Sequence, residues 1–151
     1  MSTAHTARTG RFAETALQKA ALIYGIVFLI VGLGGFIPGL TTNIESLEFA
    51  GHGSEAMLMG IFQVSILHNV VHLLYGVVGV AAAKAFGASK HYLIWGGAVY
   101  GVLWLYGLVV PHDHDANFVP LNTADNWLHF VLAVTMIALG VLLGRDRATR
   151  H

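Results

Sequence analysis

Two short strings repeat one arrangement of polar residues inside stretches that are otherwise apolar. The first is His68-Asn-Val-Val-His72, and the second is Asp125-Asn-Trp-Leu-His129. Because residues three and four positions apart share one face of a helix, each string places its polar side chains together. Similar distances from the nearest cationic residues predict that the two strings lie at similar depth. The predicted polar cluster comprises His68, Asn69, His72, Asp125, Asn126 and His129.

The residue types of this cluster suit several kinds of chemistry, and the sequence leaves them open. In the first interpretation, the side chains form hydrogen bonds between helices and fix their register. In the second, His68 and His72 bind a divalent metal such as Zn²⁺, and Asp125 with His129 completes a tetrahedral ligand set. In the third, one histidine from each string ligates a haem iron from opposite sides. Proton relay or transport is the fourth, because ionisable groups at membrane depth are often functional.

The composition of the chain is that of a membrane protein. Hydrophobic residues make up 56% of the 151 residues and charged residues only 11%, whereas a soluble domain is about a quarter charged. The length leaves room for one domain of four spanning helices, so residues 1–151 are predicted to form a single transmembrane domain. A net charge of zero argues against a nucleic-acid partner. The absence of cysteine excludes disulfides and thiolate metal sites.

Four apolar windows are each close to the roughly 20 residues that cross a bilayer. Pro111 ends the third window, and Thr123 is the predicted N-cap of the fourth helix, with Asp125 in its first turn. The loop over residues 40–56 is a candidate for a short interfacial helix. The predicted fold class is therefore all-α, an integral membrane four-helix bundle with helices over residues 17–37, 57–83, 92–110 and 126–144.

The positive charges predict the orientation of these helices. All eight Lys and Arg residues fall in the two terminal segments and in one short connection, whereas the other two connections carry six of the eight acids. Cationic segments are retained on the cytoplasmic side, so a multi-pass protein of the cell membrane with cytoplasmic N- and C-termini is expected. The three cationic groups are Arg8, Arg11 and Lys19, then Lys84 and Lys90, and finally Arg145, Arg147 and Arg150.

Small residues and the two matched strings predict how the helices pack. Gly97 with Gly101, and Gly140 with Gly144, have the four-residue spacing typical of closely packed membrane helices. The two polar strings, with a weaker match between Tyr24-Gly25 and Tyr100-Gly101, suggest two helix pairs related by an axis along the membrane normal. Chance similarity is the alternative explanation.

Three longer strings carry a resemblance to a known family. They are Gly32-Leu-Gly-Gly-Phe-Ile-Pro-Gly39, Gly60-Ile-Phe-Gln-Val-Ser-Ile-Leu-His-Asn-Val-Val-His72 and Asn117-Phe-Val-Pro-Leu-Asn-Thr-Ala-Asp-Asn-Trp-Leu-His129. The chain resembles the bacterial family called "domain of unknown function 4383" from about Leu17 to Gly144. The resemblance implies a four-pass bacterial inner-membrane protein and brings no catalytic assignment. Ser65 departs from the Asn that many members carry, a change that preserves a hydrogen-bonding role.

The functional expectation is a small membrane component, non-enzymatic and organised around the polar cluster. No G-x-S-x-G, Walker or H-E-x-x-H motif is present in the sequence. The alternatives are a haem- or metal-dependent electron-transfer or oxidoreductase subunit, and a small transporter or proton relay. The candidate cofactors are accordingly a divalent metal or haem. The expected partners are the lipid bilayer and either a second copy of the chain or a membrane-complex subunit.

Overall fold

The computed structural model describes residues 11–145 as four α-helices and one small sheet. Arg8, Arg147 and Arg150 of the predicted cationic groups lie outside the described residues. The helices are α1 (Ala16–Gly34), α2 (Ile66–Ala82), α3 (Phe86–Val109) and α4 (Thr123–Leu142). The antiparallel sheet has the order β1 (Thr41–Thr42), β2 (Met57–Leu58), β3 (Phe62–Gln63), in which Leu58 pairs with Thr41 and with Phe62.

The sheet corrects the all-α prediction, and it replaces the first part of the predicted second helix. Residues 57–63 form β2, β3 and the turn between them, in which Met59 and Gly60 adopt left-handed φ angles of 53° and 69°. Positive φ at both central positions is the requirement of a tight hairpin turn and is incompatible with a right-handed helix. The helix begins only after Ser65, whose hydroxyl oxygen accepts the His68 backbone N–H at 3.1 Å.

The other element bounds differ from the predictions by a few residues. Helix α1 ends at Gly34, and α3 begins at Phe86, six residues before its predicted start. The N-cap of α4 is Asn122 and not Thr123, since its side-chain oxygen accepts the Asp125 backbone N–H at 2.9 Å. The predicted interfacial helix in residues 40–56 is reduced to one 3-10 turn, Ile44–Ser46.

The four helices pack as two antiparallel hairpins, α1 with α2 and α3 with α4. Contacts between the hairpins are much sparser than contacts within them. Within the first hairpin the backbones touch, because a Cβ atom built on Gly25 would lie 2.7 Å from the Val80 nitrogen and 2.9 Å from the Gly76 oxygen. In the second, a Cβ on Gly97 would lie 3.1 Å from the Ala133 oxygen. Glycine therefore allows the two helices of each hairpin to pack closely against each other.

The two hairpins repeat this packing at equal spacing. Gly25 and Gly97 are 72 residues apart, and their partners Gly76 and Ala133 are 57 apart. Nearer the sheet, the side-chain amide of Asn69 lies directly against Gly35 and occupies the space that a Cβ atom would need there.

The second hairpin repeats this asparagine contact. The side chain of Asn126 fills the space above Gly107, at the same two separations of 72 and 57 residues. The structural equivalent of Tyr100 on this spacing is Phe28, so the weaker sequence match of Tyr100 with Tyr24 is not the structural one.

Apolar side chains cover the outside of the helices. Helices α1, α3 and α4 are long and apolar enough to cross a membrane, whereas α2 has only 17 residues. Large exposed apolar surfaces of this kind face lipid or another protein. The exposed side chains include Ile23, Ile30, Leu74, Val77, Val102, Leu105, Val131 and Val134.

The glycine contacts predict opposite effects for two small substitutions. Gly25→Ala should lower the free energy of unfolding by about 1–3 kcal/mol, because its methyl group has only backbone atoms to displace. Gly101→Ala should be neutral or stabilising by up to about 1 kcal/mol, because its Cβ would lie 3.9 Å from that of Ala133 and alanine favours the helix. Unfolding in mixed micelles measures both. Equal losses of unfolding free energy in the two variants would contradict the close contact between α1 and α2 at Gly25.

Candidate functional site

The first polar string brings two histidines together at the start of α2. His68 and His72 are both buried, and their ring centroids lie 4.1 Å apart. Nδ1 of His72 lies 2.9 Å from the backbone oxygen of His68. A carbonyl oxygen only accepts hydrogen bonds, so Nδ1 of a neutral His72 carries the proton and Nε2 is an acceptor. The Tyr100 hydroxyl, 3.4 Å from Nε2, is therefore the donor of that pair.

Tyr100 links the four helices. Its ring is stacked on Phe28 of α1, with centroids 5.5 Å apart and an interplanar angle of 12°. It contacts Tyr75 of α2 at 5.4 Å and His129 of α4 at 5.1 Å. We refer to Phe28, His72, Tyr75, Tyr100 and His129 as the aromatic layer. Because every helix contributes to it, this layer joins the two hairpins.

A cavity of about 250 Å³ adjoins the aromatic layer, and we refer to it as the histidine cavity. Its walls come from α2, α3 and α4, and residues 118–120 of the last connection contribute to its lining. His68, His72 and His129 all line it among apolar side chains. Nδ1 of His129 is buried and has no hydrogen-bond partner within residues 11–145. An orphaned polar atom beside a cavity marks a place where a ligand or water would be stabilised.

Asp125 serves a different purpose from the histidines. One of its carboxylate oxygens accepts the backbone N–H of Asn122 at 3.1 Å and that of Gln63 at 3.0 Å. The first bond completes the capping box of α4, and the second attaches β3 to that helix. The carboxylate therefore holds the sheet against α4.

The two asparagines lie between the helices of their own hairpins, above Gly35 and Gly107. Asn69 is fully buried, and its side-chain oxygen is 3.5 Å from Nδ1 of His68. Nδ2 of Asn69 and Oδ1 of Asn126 have no hydrogen-bond partner among the residues described. The six predicted side chains thus divide into three histidines at one cavity and three residues that hold helices or the sheet.

The predicted metal ligands are not gathered into one site. In the part of the chain that the structure describes, no three His, Asp or Glu side chains are arranged to hold a metal ion. Asp125, one of the four predicted ligands, instead accepts hydrogen bonds from two backbone N–H groups. Haem is a large macrocycle, and this cavity of about 250 Å³ is smaller than the pockets of drug-sized ligands, so it has room only for a smaller molecule. Both cofactors stay predictions.

The sequence interpretation missed Phe28, Tyr75 and Tyr100. The depth of Tyr100 in the predicted membrane could have indicated that it meets His72. It lies ten residues from Lys90, about 15 Å along a helix, and His72 lies at a similar distance from Lys84. A tyrosine buried in the middle of an apolar helix needs a partner for its hydroxyl, and a histidine at equal depth is one.

The fold and the site define a helical protein with apolar outer faces and a polar, aromatic interior near one end. The family model described as "Domain of unknown function (DUF4383)" matches residues 18–142, and the chain belongs to this family, as its sequence motifs indicated. No curated protein and no solved structure matches the sequence.

The hydrogen bond between His72 and Tyr100 can be measured as a coupling energy. The stability losses of His72→Phe and Tyr100→Phe should be non-additive by about 0.5–1.5 kcal/mol, because each change removes the same bond. His72→Phe with Gln18→Leu is the control pair, since Gln18 binds the Ala83 oxygen at the far end of α2. That pair should add to within a few tenths of a kcal/mol. Additivity of both pairs would contradict a hydrogen bond between His72 and Tyr100 and leave ring contacts as the link between the hairpins.

Proposed function

We propose that this chain is a non-enzymatic protein of the cell membrane that binds a small lipid-soluble molecule in the histidine cavity. It forms a single transmembrane domain that crosses the bilayer four times, with both termini on the cytoplasmic side. The apolar outer faces of the helices support insertion. The short α2, about 25 Å long, is extended toward the bilayer surface by the sheet that precedes it.

The positions of the positive charges support this orientation. The Gln18 side chain binds the Ala83 oxygen, so the start of α1 and the end of α2 are adjacent. Lys90 at the start of α3 reaches the Gly144 oxygen after α4 at 3.5 Å. The five described Lys and Arg residues therefore share the end opposite the sheet, as positive residues on a cytoplasmic face would. They are Arg11, Lys19, Lys84, Lys90 and Arg145.

The observation that carries the binding proposal is the convergence of three histidines on one otherwise apolar cavity. The sequence places them on two separate helices, and His129 has a buried nitrogen, Nδ1, that no group in residues 11–145 satisfies. A role in fixing the helix register accounts for His72, which bonds Tyr100 of the other hairpin, but it leaves Nδ1 of His129 without a partner. Ligand sites commonly combine apolar walls with a few convergent polar groups.

The chemistry of the walls selects an uncharged ligand. Within residues 11–145, no Asp, Glu, Lys or Arg lines the cavity. A charged ligand there would lose its hydration without gaining a fixed counter-charge, which is unfavourable in an apolar environment. A neutral imidazole offers one donor and one acceptor, so it suits a hydroxyl or a carbonyl group. The ligand class is therefore a small, mostly apolar alcohol, phenol or ketone.

Titration of ¹⁵N-histidine-labelled protein in bicelles with 2-naphthol tests this function. The imidazole resonances of His129 should shift and saturate with 2-naphthol, because Nδ1 of His129 has no partner within residues 11–145 and can bond the hydroxyl. Naphthalene at equal concentration in the bilayer should change these ¹⁵N shifts much less, since it has no hydrogen-bonding group and acts only through its ring current. The ketone 1-tetralone distinguishes a preference for carbonyl from one for hydroxyl.

Two neighbouring valines of α2 provide a matched control. Val70 and Val71 are each 40% exposed, but only Val71 lines the cavity. Val71→Trp should fill the cavity and abolish the response to 2-naphthol, whereas Val70→Trp should respond as the wild type does. No saturable shift in the wild type, or an unchanged response in Val71→Trp, would reject the proposal and leave the histidines a structural role.

A further inference from the structure

A second hollow lies on the outer surface between α2 and α3. It is a groove of about 320 Å³. Its walls include Leu74 and Val78 of α2 and Trp95 and Val99 of α3, all of them largely exposed. His91 and Tyr92 line it toward the start of α3. Apart from these two side chains and Tyr75, the walls are apolar. We refer to this hollow as the lateral groove.

The lateral groove adjoins the histidine cavity. Tyr75 and Val99 belong to the walls of both, so the two volumes are adjacent and these side chains lie between them. From His68 in the cavity to Val78 in the groove, α2 advances about 15 Å. One end of this path presents three histidines, and the rest is open along the helices at the surface that would face lipid. A polar end followed by a long apolar side is the shape of an amphiphile.

The packing of the hairpins explains why this path exists. The closest contacts of glycine with helix backbone lie within each hairpin, whereas α2 and α3 meet through tyrosine side chains. Tyr92 lies against Gly79, and the ring of Tyr75 contacts that of Tyr92 at 6.2 Å. Residues 118–120 line the cavity near the sheet. The lateral groove offers an approach from the side, through the bilayer, where a lipid-soluble molecule is already dissolved.

We propose that the ligand is a long-chain amphiphile with an uncharged hydroxyl or carbonyl head. The head lies in the histidine cavity, and its apolar chain passes Tyr75 and Val99 to lie in the lateral groove. This inference rests on the proposed function, because the cavity must bind the head. It adds the class of ligand and the route of entry. Since lipid tails are as apolar as the groove, the chain adds little affinity, and its position is the property to measure.

The experiment uses 2-naphthol with a dodecyl chain at carbon 6 and a photoreactive diazirine at the middle of that chain. The protein is reconstituted in phosphatidylcholine nanodiscs, irradiated with the probe and mapped by mass spectrometry. Labels should concentrate on Leu74, Val78 and Trp95. Chain-free 2-naphthol at ten times its dissociation constant should reduce this labelling about tenfold, because it occupies the head site.

A matched pair of valines tests the groove itself. Val77 and Val78 are 59% and 56% exposed, but only Val78 lines the groove. Val78→Phe should displace the label from Leu74 and Trp95, while Val77→Phe should label as the wild type does. Both variants should retain the imidazole response to chain-free 2-naphthol, which shows that they are folded and that the head site is intact.

Two outcomes would overturn this inference while leaving the proposed function in place. One is labelling spread over the whole lipid-facing surface. The other is groove labelling that chain-free 2-naphthol does not reduce. In both, the imidazole response to 2-naphthol would persist, because the cavity would bind a head without a chain in the groove. Loss of that response in the wild type would instead reject the proposed function.

Discussion

The direct backbone contact inside each hairpin is the constraint on which the other features depend. Gly25 lies against the backbone of α2, and Gly97 lies against that of α4. Near the sheet, an asparagine side chain fills the space above a glycine in both hairpins. Such contacts require small residues, and the chain places them within the hairpins. The hairpins then meet through bulky aromatic rings, which leave the histidine cavity and the lateral groove between them.

The hairpins are equivalent in packing but not in chemistry. Phe28 and Tyr100 occupy equivalent positions, and their rings stack where the hairpins meet. His72 and His129 are also equivalent, and both contact the Tyr100 ring. His68 and Asp125 share a position in the repeat, yet the histidine lines the cavity and the carboxylate holds the sheet. The repeat supplies the framework, and its departures supply the polar groups that a ligand would contact.

The sequence predicted the four helices, but it could not predict the small sheet or the contacts between distant residues at the candidate site. Hydropathy located α1, α3 and α4 within a few residues, because an apolar run of bilayer length has few other interpretations. It failed for residues 57–65, which are apolar enough to continue α2, because a short buried strand has the same composition. Helical spacing correctly joined His68 to His72. It could not reveal that Asp125 turns to Gln63, since that contact joins residues 62 positions apart.

A structure of the protein crystallised from a lipidic mesophase containing the dodecyl-naphthol tests the central claim most directly. The claim is that two glycine-packed hairpins hold an amphiphile between them. We expect continuous density from the histidine cavity past Tyr75 into the lateral groove, with its polar end within hydrogen-bonding distance of His129. The contradictory result is an empty cavity in which the three histidines bond one another and α2 packs closely against α3.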